Sequence, residues 1–413
     1  MLTIALLFAA TAACRPMKGV CETPVRADSI ADSVGVNIHL HYGNTVYGNF
    51  PLIQGLLTDL GVRHTRDGLV DSSWQDYYQR HIALGRMGIR CLFITSPTQS
   101  SALLTSWPNR VPGAFEGYEA PNEYDLSGDP SWAATLNAFV PRLYNAVKSN
   151  PATANFPVVG PSLTQPASYA QVAGLEKYFD SGNMHNYFGG RNPGTPGWGA
   201  GGYGSIAYNV NNNQTAWPGK PIVTTETGYI TDTSIAQGIP ELVEGKYAPR
   251  MILEQALHGV TRTYVYELID EGSATAGNAG MYGLARNDGS PKPAFTALKN
   301  LIATLTDPGP QVLPQNLQFS LVGASSNVHH LVMAKRDGSY YVAFWLEEQD
   351  YDVNKRAETP VTPEKITFVA SHVFKATQLL AFNADGSLKT MQLNPSDRIP
   401  LTVTDGVAIL RLQ

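Results

Sequence analysis

Short apolar and β-branched runs recur through the first three quarters of the chain. Between them lie stretches in which apolar side chains return every three or four positions, the spacing of one helix face. Eight runs read as strands, at 34–40, 62–68, 89–95, 114–120, 157–162, 183–187, 221–225 and 263–268. Several are continuously apolar, as strands covered on both faces must be. Helical periodicity is clearest at 74–87, 132–148, 246–259 and 294–305, and Gly61, Gly88 and Gly259 stand where a left-handed cap would turn a helix into the next strand. The fifth helix is weakly patterned, and the sixth is expected to be short because 211–220 is rich in turn-forming residues. Strict strand–helix alternation with a count of eight predicts an α/β fold, a (β/α)8 TIM barrel. From about Pro308 the texture changes to short strands with turn signals such as Asp337-Gly338 and Asp385-Gly386, which predicts a small antiparallel all-β sandwich. With the boundary near Thr306, the expected division is an amino-terminal segment at 1–27, a barrel at 28–306 and a β-sandwich at 307–413.

Length agrees with that division, since a barrel takes about 250 residues and the chain has 413. An apolar fraction of 43% with 15% charged residues describes a globular chain, and 38 Gly with 28 Pro imply elaborate loops. A net charge of −5 provides no basic stripe for phosphates, so nucleic acid is excluded as a partner and a neutral or weakly charged one is favoured. Past the amino terminus no apolar run approaches the ~20 residues of a membrane span. Leu2 to Ala13 form a short apolar run ending in small residues, which resembles a secretory signal although no positive stretch precedes it. Thr11-Ala12-Ala13-Cys14 also resembles a lipoprotein cleavage site, so the expected location is secreted or periplasmic, with Cys14 as a candidate lipid anchor. With three cysteines, one of them (Cys91) inside a strand-like run, no disulfide framework is indicated, although Cys14 and Cys21 are close enough in sequence to pair.

In such barrels the reacting groups come from the carboxyl ends of different strands. Two glutamates stand there: Glu123, after the fourth strand in Glu119-Ala120-Pro121-Asn122-Glu123-Tyr124-Asp125, and Glu226, after the seventh in Thr224-Thr225-Glu226-Thr227-Gly228-Tyr229. An Asn-Glu pair after strand four with a lone Glu after strand seven resembles the clan A glycoside hydrolases. The stretch from Met281-Tyr282-Gly283-Leu284 to Pro291-Lys292-Pro293-Ala294-Phe295 is similar to the tract before their last helix. Ala120-Pro121 and Tyr124 depart from the residues many members carry, so the resemblance is to the clan and to no one family within it. It implies retaining hydrolysis of glycosidic bonds, with Glu123 as acid/base and Glu226 as nucleophile. The chemistry needs two carboxyls because the leaving oxygen requires a proton while the oxocarbenium-like carbon requires a nucleophile, about 5–5.5 Å apart for retention. The competing reading of both residues is as surface loop carboxylates.

The same resemblance makes Arg66 the cation that keeps the nucleophile ionised, Asn122 the partner of a sugar 2-hydroxyl, and Tyr187 a contact of the nucleophile. A surface salt bridge and a turn-forming Asn are the plainer alternatives for the first two. His185 and Tyr187 alternate on strand six, as His39 and His41 do on strand one, so each pair faces one way, toward sugar hydroxyls or structural partners. No His-x-x-x-His or cysteine pairing accompanies them, so no metal is expected, and no cofactor either. Tyr266, ending strand eight, is the expected aromatic under the reactive sugar. Trp107, Trp198 and Tyr203 fall in expected top-face loops, where flat rings either stack on pyranoses or pack the loop.

The expected function is hydrolysis of a β-linked oligo- or polysaccharide by double displacement. The Gly/aromatic-rich loop at 189–208 either walls a long cleft for an endo-acting enzyme, which is favoured, or closes one end for an exo-acting one. A transglycosidase would use the same residues, and a non-catalytic carbohydrate-binding protein could use the same scaffold.

Overall fold

The computed structural model describes residues 19–199, 201–272, 280–310 and 315–413. Eight parallel strands form one sheet: Val34–Asn37, His64–Gly68, Arg90–Ile94, Phe115–Glu119, Val158–Val159, Gly182–His185, Ile222–Thr227 and Val260–Val265. The eighth pairs with the first, and a parallel bridge between Val159 and Ser181 links the fifth to the sixth, so the sheet curls into a nearly closed barrel. Helices follow the strands at Phe50–Leu60, Gln75–Arg86, Ser101–Arg110, Trp132–Ser149, Pro166–Gln171, Ile206–Ala216, Glu241–Leu257 and Pro293–Leu305.

Local chemistry accounts for these elements. In Phe50–Leu60 the buried Ile53, Leu56, Leu57 and Leu60 lie on one face; the Asn49 side chain accepts from the Leu52 amide, and Gly61 closes the helix at φ 79°. The sixth helix is longer than the turn-rich sequence suggests, running on to Ala216. Its Asn213 is buried and donates to the Asn183 carbonyl at 2.8 Å and the Tyr169 hydroxyl at 3.2 Å, so tertiary partners override a poor helix former.

The barrel interior is layered. Leu92, Val159 and Val223, from strands three, five and seven, form an apolar cluster with Tyr264 from strand eight. Strand one contributes Gly35, where a Cβ would lie 2.4 Å from the Tyr264 ring, so the phenol of one strand fills the space its neighbour leaves. Two residues further along strands one and seven the filling turns polar, with Asn37 and Thr225, joined by Arg66, Glu119 and Asn183, all essentially inaccessible.

Residues 20–26, placed ahead of the barrel in sequence, lie in the β domain. Val20–Glu22 edges a four-stranded antiparallel sheet with Leu317–Val322, Glu364–Ala370 and Arg398–Val403. Val25–Arg26 edges a six-stranded one with Val328–Ala334, Tyr340–Leu346, Ala408–Leu412, Thr377–Phe382 and Leu388–Leu393. The residues before Gly19, including the leader-like run and Cys14, lie outside the described residues. Among the described residues no helix is long and apolar enough to cross a membrane. Strand Tyr340–Leu346 is buried on both faces: Val342, Phe344 and Leu346 point into the sandwich, and Tyr341, Ala343 and Trp345 into the barrel core.

Buried charge crosses the same junction. Arg250, on the seventh barrel helix, meets Glu347 at 2.8 Å and Asp350 at 3.2 Å, and Glu347 also accepts from the Asn192 side chain and the Gly194 amide of a barrel loop. Trp345 Nε1 lies 2.9 Å from both Glu254 and Glu347. Removing one member of a buried ion pair strands the other. Glu347→Ala should therefore destabilise the fold by about 3–5 kcal/mol, read as a lower urea midpoint at unchanged slope. A change within about 0.5 kcal/mol, as for an ordinary surface position, would show that the domains are held by apolar contact alone.

Candidate active site

The polar layer converges on Arg66, in the middle of strand two. Its Nε and Nη2 meet Glu119 at 2.6 and 2.8 Å, Nη1 donates to Asn37 Oδ1 at 2.8 Å and Glu226 Oε1 at 2.7 Å, and Nη2 reaches Asn122 Oδ1 at 2.5 Å. Burial works against its charge, but the carboxylates of Glu119 and Glu226 outweigh that and raise its affinity for the proton. Glu119 is held in turn by Asn183 at 3.0 Å and Thr225 at 3.1 Å.

Glu226 is the penultimate residue of strand seven. Besides Arg66 it accepts from the Tyr187 hydroxyl at 3.0 Å, and His185 Nδ1 stands 3.5 Å from its Oε2. Burial alone would raise its pKa; His185, Arg66 and the Tyr187 hydrogen bond together hold it below the ordinary 4.5. The Tyr187 phenol, pushed up by burial and by Glu226, remains a donor.

Glu123 follows strand four in a left-handed backbone conformation, φ 42° and ψ 41°, uncommon for a residue with a Cβ. Its amide donates to the buried Ser162 hydroxyl at 3.0 Å, and its carbonyl accepts from Leu126 at 2.9 Å, which compensates the strain. Its Oε1 lies 2.6 Å from His185 Nδ1. The other nitrogen of His185 is 3.0 Å from Thr225 Oγ1, whose own proton is directed to Asn183 Oδ1 at 2.8 Å or Glu119 at 3.1 Å. Both ring nitrogens can therefore donate, as an imidazolium requires. Burial opposes that charge, but Glu226 and Glu123 overcome it and raise His185 above 6.5. Ligating atoms of Glu123, His185 and Glu226 all lie within 4.8 Å of one another, which brings an oxygen of each carboxylate face to face.

Arg66, Glu123, Tyr187 and Glu226 open onto a cleft of about 670 Å³ lined also by His39, His41, Asn122, Tyr266 and Tyr282. His41 is set by Asp67 at 3.0 Å. His39 stacks on Tyr42, with ring centroids 4.9 Å apart; burial is the main reason its pKa falls to about 4, so it is neutral near neutral pH. Its Nε2 stands 3.5 Å from Glu267, whose carboxyl burial pushes well above its usual range, with Glu271 adding to the effect. His39, Glu267 and Glu271, and separately Glu254, His329 and Glu347, also bring ligating atoms within 4.8 Å, as a cation site would require.

Trp107 is not in the cleft, contrary to its expected place in a top-face loop. It is fully buried in helix Ser101–Arg110, packed against Tyr78 and Phe93. Pro108 cannot donate to the Leu104 carbonyl, but the Ser100 side chain caps the helix and Tyr118 donates to that carbonyl at 2.8 Å, replacing the amide that proline lacks. Trp198 and Tyr203 pair edge to face, 5.3 Å apart, on the loop after strand six, where Tyr203 is 43% exposed. Sequence reasoning missed Glu119, Asn37, Ser162 and Tyr282. Asn37 carries a signal, being the one polar residue of a strand that is otherwise apolar, whereas Glu119 shares its strand with a second glutamate, Glu116, and is not marked out; Tyr282, whose ring meets those of Tyr187 and Tyr266, lies in a loop with no such mark.

No protein-family model and no curated protein matches the sequence. Solved structures do match. A family 39 glycoside hydrolase from the gut symbiont Bacteroides cellulosilyticus WH2 superposes with TM-score 0.66 at 15% identity, over 94% of this chain and 82% of that one. A family 39 enzyme from Xanthomonas axonopodis pv. citri gives 0.63 at 15%, over 95% of each chain. A family 51 α-L-arabinofuranosidase from Thermotoga petrophila RKU-1 gives 0.61 at 10%, over 95% and 98%. At such identities the likeness establishes the fold, barrel and β domain together.

The charges at the site set a pH window. Glu226, lowered, stabilises the fold above its unfolded value near 4.5 and loses that contribution as pH falls through the folded value. His185, raised, stabilises it below 6.5 and loses that contribution as pH rises through its folded value. The site should thus contribute most between about 4.5 and 6.5. In a carboxyl NMR titration Glu226 should titrate below 4.5, and Tyr187→Phe, which removes one donor, should move it upward; an unmoved midpoint would mean that this hydrogen bond does not tune the carboxylate.

Proposed function

We propose that the chain is a retaining glycoside hydrolase acting on a β-linked glycan, with Glu226 as nucleophile and Glu123 as acid/base. The observation that carries this reading is the pair of carboxylates with oxygens within 4.8 Å in an open cleft, one held by Arg66 and the other 2.6 Å from His185. An approach this close is nearer to the ~5–5.5 Å carboxyl separation of direct attack than to the ~6.5–9.5 Å that inversion uses, and so supports retention. The environments divide the roles. Arg66 and Tyr187 keep Glu226 an anion that can attack, while His185 supplies the proton that Glu123 passes on.

In the first step a Glu226 oxygen bonds to the anomeric carbon as the glycosidic C–O bond breaks, and the leaving oxygen takes a proton from Glu123. In the second, Glu123 takes a proton from water, whose oxygen displaces Glu226 from the same carbon. Asn122 uses its Oδ1 on Arg66, which leaves its amide protons for the sugar. The neutral His39, together with His41 and Tyr266, also lines the cleft. We favour attack within chains over attack at their ends, and an exported enzyme, since polymeric glycan is met outside the cell.

The roles separate by rescue. Glu123→Ala should lose most turnover of natural linkages, yet still form its glycosyl-enzyme from an aryl glycoside with an acidic phenol, and azide should release it as the β-azide. Glu226→Ala with azide should give the α product. Exchanged stereochemistry would exchange the two roles, and near-wild-type kcat in either variant would remove that residue from the mechanism.

A further inference from the structure

Where strand eight closes the barrel on strand one, three side chains converge without satisfying one another. His39 comes just after strand one, and Glu267 and Glu271 lie on the loop after strand eight. His39 Nε2 stands 3.5 Å from Glu267 Oε2 and 3.8 Å from Glu271 Oε1 and bonds to neither. Glu267 is fully buried, yet only its Oε2 meets a donor, the Tyr47 hydroxyl at 2.7 Å. Among the described residues, His39 Nε2, Glu267 Oε1 and Glu271 Oε1 are buried atoms with no hydrogen-bond partner. Orphaned polar atoms are costly away from water, and three gathered in one place call for a ligand that serves them together.

Charge gives the sign of that ligand. Buried carboxylates elsewhere in the chain meet a cation of their own, Glu119 with Arg66, Glu347 with Arg250 and Asp270 with Lys292. For Glu267 and Glu271 the only basic group at salt-bridge distance among the described residues is His39. The spacing gives its size. Two ligands bonded near-tetrahedrally to one ion at about 2.1 Å stand ~3.4 Å apart, whereas two partners of a bridging water stand ~4.6 Å apart. The observed 3.5 and 3.8 Å match the shorter bonds of a metal ion.

The ligands are also held in place. The His39 ring stacks on Tyr42 at 4.9 Å and meets the Tyr47 and Tyr266 rings edge on at 5.3 and 5.8 Å. The Glu267 amide donates to the Tyr282 carbonyl at 2.9 Å, and its own carbonyl accepts from Leu284 at 2.8 Å. Tyr47 then serves as the outer partner that orients the carboxylate. The chain's other two groupings of this kind lack the vacancy: Glu226 already carries Arg66 and Tyr187, and Glu347 carries Arg250 and Trp345.

We propose that His39, Glu267 and Glu271 bind a divalent transition-metal cation of the zinc type, which ties the loop after strand eight to the end of strand one. One imidazole nitrogen with two carboxylates favours such an ion over Mg²⁺, which prefers oxygen ligands alone. The site is independent of the hydrolase reading, and its test needs no substrate. The full chain, freed of metal by a chelator and dialysis, is titrated calorimetrically with Zn²⁺ and with Mg²⁺, and its Tm is read with and without Zn²⁺. Zn²⁺ should bind at one equivalent, more tightly than Mg²⁺, and raise Tm. Loss of an outer partner alone weakens metal binding ~10–100-fold. His39→Gln and Glu271→Gln, which remove ligands on partly exposed side chains, should therefore weaken it at least tenfold and abolish the gain in Tm, with their metal-free Tm near that of the wild type. His329→Gln, in the Glu254 grouping, should bind as the wild type does. No Zn²⁺ binding by the wild type, no preference over Mg²⁺, binding unchanged in His39→Gln and Glu271→Gln, or binding lost in His329→Gln overturns the assignment.

Discussion

The mouth of this barrel depends on one buried guanidinium. Arg66 gathers Asn37 of strand one, Glu119 and Asn122 at the end of strand four, and Glu226 of strand seven into one network. A permanently charged, planar donor suits this position because its fork meets a carboxylate with two bonds while its remaining N–H groups reach other strands. Burial makes any unpaired member expensive, so the partners hold one another in place. Burial and Arg66 oppose a charge on His185, but the carboxylates of Glu226 and Glu123 outweigh both and raise its affinity for the proton.

The position of the strained residue follows from the same economy of contacts. Glu123 reaches the site from a left-handed turn that few side chains adopt, and the Ser162 hydroxyl from the end of strand five accepts its amide. Neighbouring strands thus supply what the turn itself lacks. His185 then links the turn to strand seven through Thr225, so both glutamates are tied to the polar layer by hydrogen bonds whose partners are themselves buried.

The β domain takes part in shaping the mouth. Glu347 lies between Arg250 of the barrel wall and the Asn192–Gly194 stretch of the loop after strand six, and a Cβ at Gly194 would come within 2.3 Å of the Glu347 side chain. That loop carries Trp198 and Tyr203. A residue more than 140 positions away in sequence therefore anchors the base of a loop at the cleft. The sheet strand that bears Glu347's neighbours is apolar at every position because it serves two cores at once.

Periodicity and order alone determined the barrel and the change to short antiparallel strands, because each strand buried on both faces must be apolar along its length and each covering helix on one side. They also determined that Glu123 comes just after strand four and Glu226 at the carboxyl end of strand seven, since position along a barrel strand is a matter of counting. Only the tertiary structure decided which polar residues meet them. Glu119, Asn37 and Asn183 come from three strands scattered along the chain; that the first two converge on Arg66 while Asn183 holds Glu119 is a property of closure around the barrel, which no local pattern encodes. Trp107 shows the same limit from the other side. Its neighbour Pro108 leaves a helix carbonyl without a donor, yet a hydroxyl on strand four supplies one, and the tryptophan becomes core. Local sequence states what a segment requires; the partners that meet the requirement arrive from elsewhere in the fold.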